Sequence, residues 1–244
     1  MLGINAVIFD LDGTLYNSAK LGRRLVAAAP LDCLLMRNER IVRAELKGCD
    51  FSSPDAFYGE FFLRIARRSR RSEPQIRDWY FSRYMPLMLK VLEKQYTLYP
   101  GAEELVRTLQ DSGIGCAVYS DYPNTPGRLR ALGFNTETCG SLYGPDDFGA
   151  LKPAERPFRE IAASLGASCD KTLVIGDRDD TDGAGARSAG MGFIRIESGK
   201  KRSAKNTGDT PYPWFTIRTI LMDHAETLKN LDLRKPNPPR PTAV

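Results

Sequence analysis

Asp10-Leu11-Asp12-Gly13-Thr14 places two carboxylates two residues apart, directly before a glycine. Side chains two apart on an extended segment share a face. A turn at Gly13 would let both address one centre. The plainer alternative is a surface turn, because such turns use Asp and Gly constantly. A second cluster runs from Gly176 to Gly183 and holds Asp177, Asp179, Asp180 and Asp182. Like charges gathered so closely repel one another unless a cation joins them. Oxygen-only donors suit Mg²⁺ better than zinc. A solvated acidic loop is the competing explanation. Ser120 and Lys152 add a hydroxyl and an ammonium, groups that suit a phosphate if they meet at one sheet edge. Either alone is common surface decoration, and their weight comes from the ordered set.

These groups need elements to bring them together. Residues 4–9 form a short apolar, partly β-branched run that ends at Asp10, the pattern of a buried strand. From 17 to 98 the texture is helical, with segments at 18–30, 37–48, 54–68 and 73–94 and almost no strand signal. Ser72-Glu73-Pro74 resembles a helix start. Beyond Pro100 strands and helices alternate. Strands are expected at 115–120, 141–143, 172–175 and 192–196. Helices are expected at 101–112, 125–132, 157–165 and 183–189, several of them closed by glycine. Residues 214–231 are expected to add one more strand and helix. Such alternation implies an α/β fold, a parallel sheet covered on both faces. Ligands bind at the carboxyl ends of strands in such sheets, where each cluster falls. Residues 234–244 contain four prolines and no apolar pattern, so a disordered tail is expected.

Composition narrows the chemistry further. The chain has 244 residues, 42% hydrophobic and 27% charged, with a formal charge of +5. That is a globular composition. No stretch approaches the roughly 20 apolar residues of a membrane span, and the N-terminus lacks a secretory pattern, so a cytoplasmic protein is expected. The odd count of 5 cysteines, widely spaced and without CxxC, argues against a disulfide framework or zinc ribbon. The single histidine, His224, removes a Ser-His-Asp triad and multi-His metal sites from consideration. Catalysis is left to carboxylates.

Taken in order, the clusters resemble the haloacid-dehalogenase-like (HAD) hydrolase superfamily, in its phosphoglycolate-phosphatase-like branch with a helical C1 cap. Val7 to Leu15 resembles the first motif, and Val118-Tyr119-Ser120-Asp121 the second. Leu151-Lys152-Pro153 with Phe158 is similar to the third. Val174-Ile175-Gly176-Asp177 with Asp182 and Ala189-Gly190-Met191 is similar to the fourth. The resemblance implies a Rossmann-like doubly wound core (residues 1–16 and 99–233) with an inserted helical cap (residues 17–98). It implies that Asp10 is the nucleophile and Asp12 the general acid and base. Ser120, Asp121 and Lys152 fall at the phosphate-binding positions. Mg²⁺ would be held by Asp10, Asp177, Asp182 and the backbone carbonyl of Asp12. Dehalogenases and phosphonate hydrolases of the family lack the acid at the Asp12 position, so the resemblance implies phosphate-ester hydrolysis. The expected partner is a small phosphorylated metabolite, with no membrane and no nucleic acid; the oligomeric state is left open. A phosphomutase and a non-catalytic HAD-fold binding protein are the alternatives. The insert has no histidine to resemble a mutase cap base.

The chain departs from the branch at three places. Asp121 stands where the second motif usually has Asn. Asp177 and Asp182 are separated by four residues rather than three, which leaves Asp179, Asp180 and Asp182 as rivals, with Asp182 preferred. Residues 144–149 are only loosely similar. In the insert, Arg64, Arg67, Arg68, Arg70 and Arg71 could attract an anion, but a solvated helix face with no site role is the simpler expectation. Trp79, Tyr80, Phe81 and Tyr84 could stack on a base or sugar, but core packing is the simpler expectation. Residues 17–98 carry 16 basic and 9 acidic side chains, against 10 and 17 in residues 1–16 and 99–198. The mild basicity therefore reads as a basic insert over an acidic core.

Overall fold

The computed structural model describes residues 3–197 and 212–232, with side chains to residue 228. The tail expected at 234–244 lies outside the described residues. Strand β1 (Ala6–Phe9) is fully buried. Five helices follow: α1 (Leu21–Ala28), α2 (Cys33–Glu45), α3 (Pro54–Ser69), α4 (Glu73–Asp78) and α5 (Met85–Gln95). Then come α6 (Ala102–Gln110), β2 (Gly115–Tyr119), α7 (Thr125–Ala131), β3 (Ser141–Tyr143), α8 (Pro145–Phe148) and α9 (Glu155–Ser164). The chain continues through β4 (Thr172–Gly176), α10 (Ala184–Ser188), β5 (Gly192–Arg195) and α11 (Trp214–Asp232). The strands make one parallel sheet in the order β3-β2-β1-β4-β5.

Alternation along the strands feeds two apolar layers, because side chains two apart share a face. Val7, Phe9, Val118 and Ile175 pack with Leu105 and Leu109 of α6 and with Ile217 and Leu221 of α11. Ile8, Ala117, Tyr119 and Val174 face the other way, onto Phe158 and Ile161 of α9 and Ala186 of α10. Both faces are covered, which explains continuous apolar strands rather than an alternating polar pattern. Sheet order reverses beside β1, so the crevice between the ends of β1 and β4 is the expected binding place.

The helices between β1 and α6 follow the sequence pattern closely. Ser53 caps α3 by accepting the Ala56 N–H at 3.3 Å. At the start of α4, the Ser72 N–H donates to Gln75 at 3.0 Å. A wide π-type turn at Trp79–Tyr84 joins α4 to α5 without a break. Trp79, Tyr80 and Tyr84 are buried: Tyr80 packs on Phe61 and Phe62 of α3 and Trp79 stacks on Tyr84, while Phe81 is partly exposed at the edge against Phe62. This aromatic core, not a stacking platform, is their role. The expected strand within 214–231 is absent: Tyr212 forms a single bridge with Ile196, and helix α11 starts at Trp214.

Two backbone contacts tie these helices to the sheet. Tyr99 N–H donates to Leu15 O at 2.8 Å, beside a bridge between Tyr16 and Leu98. On the far side, residues 48–51 pair with residues 149–152. Gly48 N–H reaches Lys152 O at 3.1 Å, Phe51 N–H reaches Gly149 O at 3.0 Å and Leu151 N–H reaches Cys49 O at 3.1 Å. Arg156 reinforces this seam with a bidentate contact to Asp50 at 2.8 and 2.7 Å.

Candidate active site

Asp10 leaves β1 still in register, its N–H donating to Ile175 O at 2.8 Å. The chain then turns at Gly13, with φ +102°. A Cβ on Gly13 would lie 2.4 Å from the Asp177 carboxylate, so only glycine lets this turn press against the end of β4. Beyond Asp177 the extra residue of the fourth motif is absorbed by a wide π-type turn over Asp179–Gly183. That turn brings Asp182 back under Gly176. Asp10, Asp177 and Asp182 each offer a carboxylate oxygen, all within 4.8 Å of one another. Three oxygen donors, with Asp182 only 2% exposed, suit a hard divalent cation. Asp179 is instead paired with Arg187 at 2.9 Å. Asp180 is paired with Lys47 at 2.5 Å and Arg178 at 2.9 Å.

Lys152 enters the same cluster from the loop before α9. Its ammonium donates to Asp10 Oδ1 and Asp182 Oδ1, both at 2.8 Å. Burial alone would discharge this lysine, but the carboxylates of Asp10, Asp182 and Asp121 more than reverse that and hold it charged. Thr14 supplies the second donor to Asp10, at 2.9 Å on Oδ2. Burial pushes the Asp182 carboxyl up to about 8 against the pull of Lys152, with Asp10 and Asp177 repelling in the same upward direction. Asp121 accepts the Lys152 backbone N–H at 2.9 Å. Burial raises its carboxyl too, despite Lys152. Its side chain fixes the lysine's loop, and an acceptor-only carboxylate cannot itself donate to a phosphate.

Asp12 has different neighbours. Oδ1 accepts from the Tyr16 hydroxyl and from Arg128 Nη2, and Oδ2 accepts from Ser120 Oγ at 3.2 Å. Arg128 is fully buried and also donates to Ser120 Oγ at 2.7 Å. Partial burial raises the Asp12 carboxyl, but Arg128 outweighs it and holds Asp12 below the ordinary carboxylate range.

Asp10, Asp12, Asp121, Lys152, Asp177 and Asp182 open on one cavity of about 380 Å³. Its other wall is α2, which contributes Arg40, Arg43 and Ala44 from one face at helical spacing, with Lys47 from the turn that follows. Arg43 docks that face. Its guanidinium donates to Asp121 O at 2.5 Å and to Tyr80 Oη at 2.9 Å, pairs with buried Glu39, and lies 4.2 Å over the Tyr122 ring. Arg40 is exposed and makes no ion pair among the described residues, and Arg178 lines the opposite rim.

The haloacid dehalogenase-like hydrolase family model matches residues 4–190. The chain belongs to this family of hydrolases. It is 32% identical over 207 residues to a phosphoglycolate phosphatase from Rhodospirillum rubrum, covering 81% of each chain. It is 27% identical over 225 residues to a glyceraldehyde 3-phosphate phosphatase from Methanopyrus kandleri, covering 88% of this chain and 93% of that one. A predicted phosphoglycolate phosphatase from Haemophilus somnus shares the fold at a TM-score of 0.62 and 21% identity, covering 89% of this chain and 98% of that one.

In this HAD-like hydrolase the motif residues Asp10, Asp12, Ser120, Asp121, Lys152, Asp177 and Asp182 all meet at the crevice beside β1. The arginines at 64–71 do not line the cavity; Arg64 pairs with Glu60 and Arg68 with Glu45 on the surface. Sequence reasoning missed Arg128, Tyr16, Arg40, Arg43, Lys47 and Arg178. Basic residues at 40 and 43 share a face of α2 and Lys47 follows at the next helical interval, a spacing that was there to find. Arg128 carried no such signal, because one arginine in a short helix is usually solvated.

Proposed function

We propose that this hydrolase is a Mg²⁺-dependent phosphatase acting on a small phosphomonoester through a phospho-aspartate on Asp10. The observation that carries the reading is the Asp10 carboxylate, held by Lys152 and Thr14 inside the acidic cluster, with a second acid at Asp12. Asp10 attacks phosphorus, the ester P–O bond breaks, and the departing oxygen takes a proton from Asp12. Water then attacks the phosphoryl group, Asp12 takes its proton, and the Asp10–phosphorus bond breaks. Arg128 keeps Asp12 ionised in the free enzyme, the form needed for the second half. An arriving phosphate favours the protonated form needed for the first. Asp10, Asp177 and Asp182 would hold the metal, whose chemistry is to offset phosphoryl charge. Lys152 and Ser120 orient the phosphoryl oxygens, and Asp121 holds the Lys152 loop.

Residues 17–98 act as a cap over a core of residues 1–16 and 99–233, excluding water from the cavity. The cap and rim add a preference. Arg40, which has no ion pair among the described residues, together with Lys47 and Arg178, which share the single charge of Asp180, leaves the rim cationic. A substrate bearing a second anionic group fits it, as does the phosphoglycolate named for the R. rubrum relative.

The test is phosphate release by the purified chain with Mg²⁺ from p-nitrophenyl phosphate and a panel of metabolite phosphates. Turnover is expected, with Asp10→Asn lowering it by at least about 10³-fold. Silence across the panel, or an unaffected Asp10→Asn, would overturn the reading.

A further inference from the structure

Arg128 lies in α7, outside the motifs, and yet its guanidinium bridges two motif residues. It is fully buried, and its Nε has no hydrogen-bond partner among the described residues. A buried cation with one donor left unpaired is costly. The other two nitrogens define what it does. Nη1 donates to Ser120 Oγ at 2.7 Å, and the Tyr122 N–H donates to the same oxygen at 3.2 Å. Those two donors use both acceptor sites of the hydroxyl. Its single proton is left to point outward, and it lies on Asp12 Oδ2 at 3.2 Å. Nη2 and the Tyr16 hydroxyl both hold Asp12 Oδ1. The oxygen that remains for proton exchange is Oδ2. The Tyr122 ring, 5.3 Å from the guanidinium carbon, helps to fix the arginine in place.

We propose that Arg128 is a positioning residue. It holds Asp12 Oδ1 directly and steadies Oδ2 through the Ser120 hydroxyl, so that the carboxylate stays aimed at the departing ester oxygen. A planar two-pronged donor does this and a lysine cannot, because an ammonium is a point charge. The inference rests on the phosphatase reading above and concerns only how Asp12 is aimed.

The experiment compares kcat/KM, which reports the step that expels the leaving group, for an alkyl phosphate and for 2,4-dinitrophenyl phosphate. An alkoxide needs the proton of a well-aimed Asp12, whereas dinitrophenolate leaves without it. Arg128→Lys, which retains a buried cation, is expected to lose about 10²-fold on the alkyl ester. On the aryl ester it should stay within about threefold. Because the second half also uses Asp12, a phosphoryl adduct on Asp10 should accumulate during aryl-ester turnover and be visible by mass spectrometry. In an Asp12→Asn background, Arg128→Lys should add nothing on the alkyl ester. Should Arg128→Lys not fold, Tyr16→Phe removes the other donor to Oδ1 and should show the same selectivity at smaller size. Equal losses on both esters, or additive losses in the double variant, overturn the positioning role while leaving the phosphatase intact. Absence of turnover by the wild type on either ester overturns the phosphatase reading and this inference with it.

Discussion

Asp10 and Asp12 are chemically identical and two residues apart, yet their neighbours give them separate duties. Lys152 and Thr14 hold both oxygens of Asp10. Arg128 and Tyr16 hold one oxygen of Asp12 and leave the other to a weaker donor. Lys152 is the ammonium that links Asp10 to Asp182, so its replacement should be costly. Lys152→Ala is expected to lower kcat by about 10²–10³-fold, the usual cost of one preorganised donor to a developing charge. Steady-state assays with saturating Mg²⁺ check this; a loss below about threefold would remove Lys152 from the phosphoryl site. The sequence exposed Lys152 only because it stood in order between Ser120 and Asp177. It could not have exposed Arg128, whose partners come from two other segments of the chain.

Helix α2 shows how an element turns spacing into selectivity. Arg40 and Arg43 share a face and Lys47 follows in the turn after it, but their fates differ. Arg43 is consumed in docking the helix, Lys47 bridges to Asp180, and Arg40 has no ion pair among the described residues. Arg40→Ala is therefore expected to raise KM about tenfold for esters carrying a second anion, the worth of one charge-assisted contact. KM for p-nitrophenyl phosphate should stay within about twofold. Equal changes for both substrates would place the second anion elsewhere. The strands and most helices were legible because their apolar periods were clean and their ends carried glycine, serine or proline. The seam between residues 48–51 and 149–152 was not, since it joins two loops through backbone groups that leave no side-chain pattern. Gly149 shows how closely the two loops pack: a Cβ there would lie 2.0 Å from Ser53 O.

Across the whole molecule, charge is separated, with excess base in residues 17–98 and excess acid in the sheet domain. Much of that acid gathers around one metal-competent cluster, and this couples stability to pH. Asp182 is pushed up to about 8 by burial, in spite of Lys152, from an ordinary value near 4. A carboxyl raised in the folded state binds its proton more tightly folded than unfolded. Its stabilising contribution is complete below the ordinary value and is lost as pH rises towards about 8. Without metal, the wild type should therefore lose thermal stability between about pH 4 and pH 8, relative to Asp182→Asn, whose amide does not titrate. Mg²⁺ reverses the demand, because it needs the ionised carboxylate and must expel that proton. Apparent Mg²⁺ affinity should climb by up to about tenfold per pH unit below 8 and level off above it. Calorimetry in buffers of different ionisation enthalpy should register close to one proton released near neutral pH. Parallel melting curves for wild type and Asp182→Asn across this window, with no proton release on Mg²⁺ binding, would show that the cluster does not store a proton at Asp182. The four-residue spacing that made Asp182 one of three rivals in the sequence is what buries it, since the wide turn at Asp179–Gly183 carries it beneath Gly176.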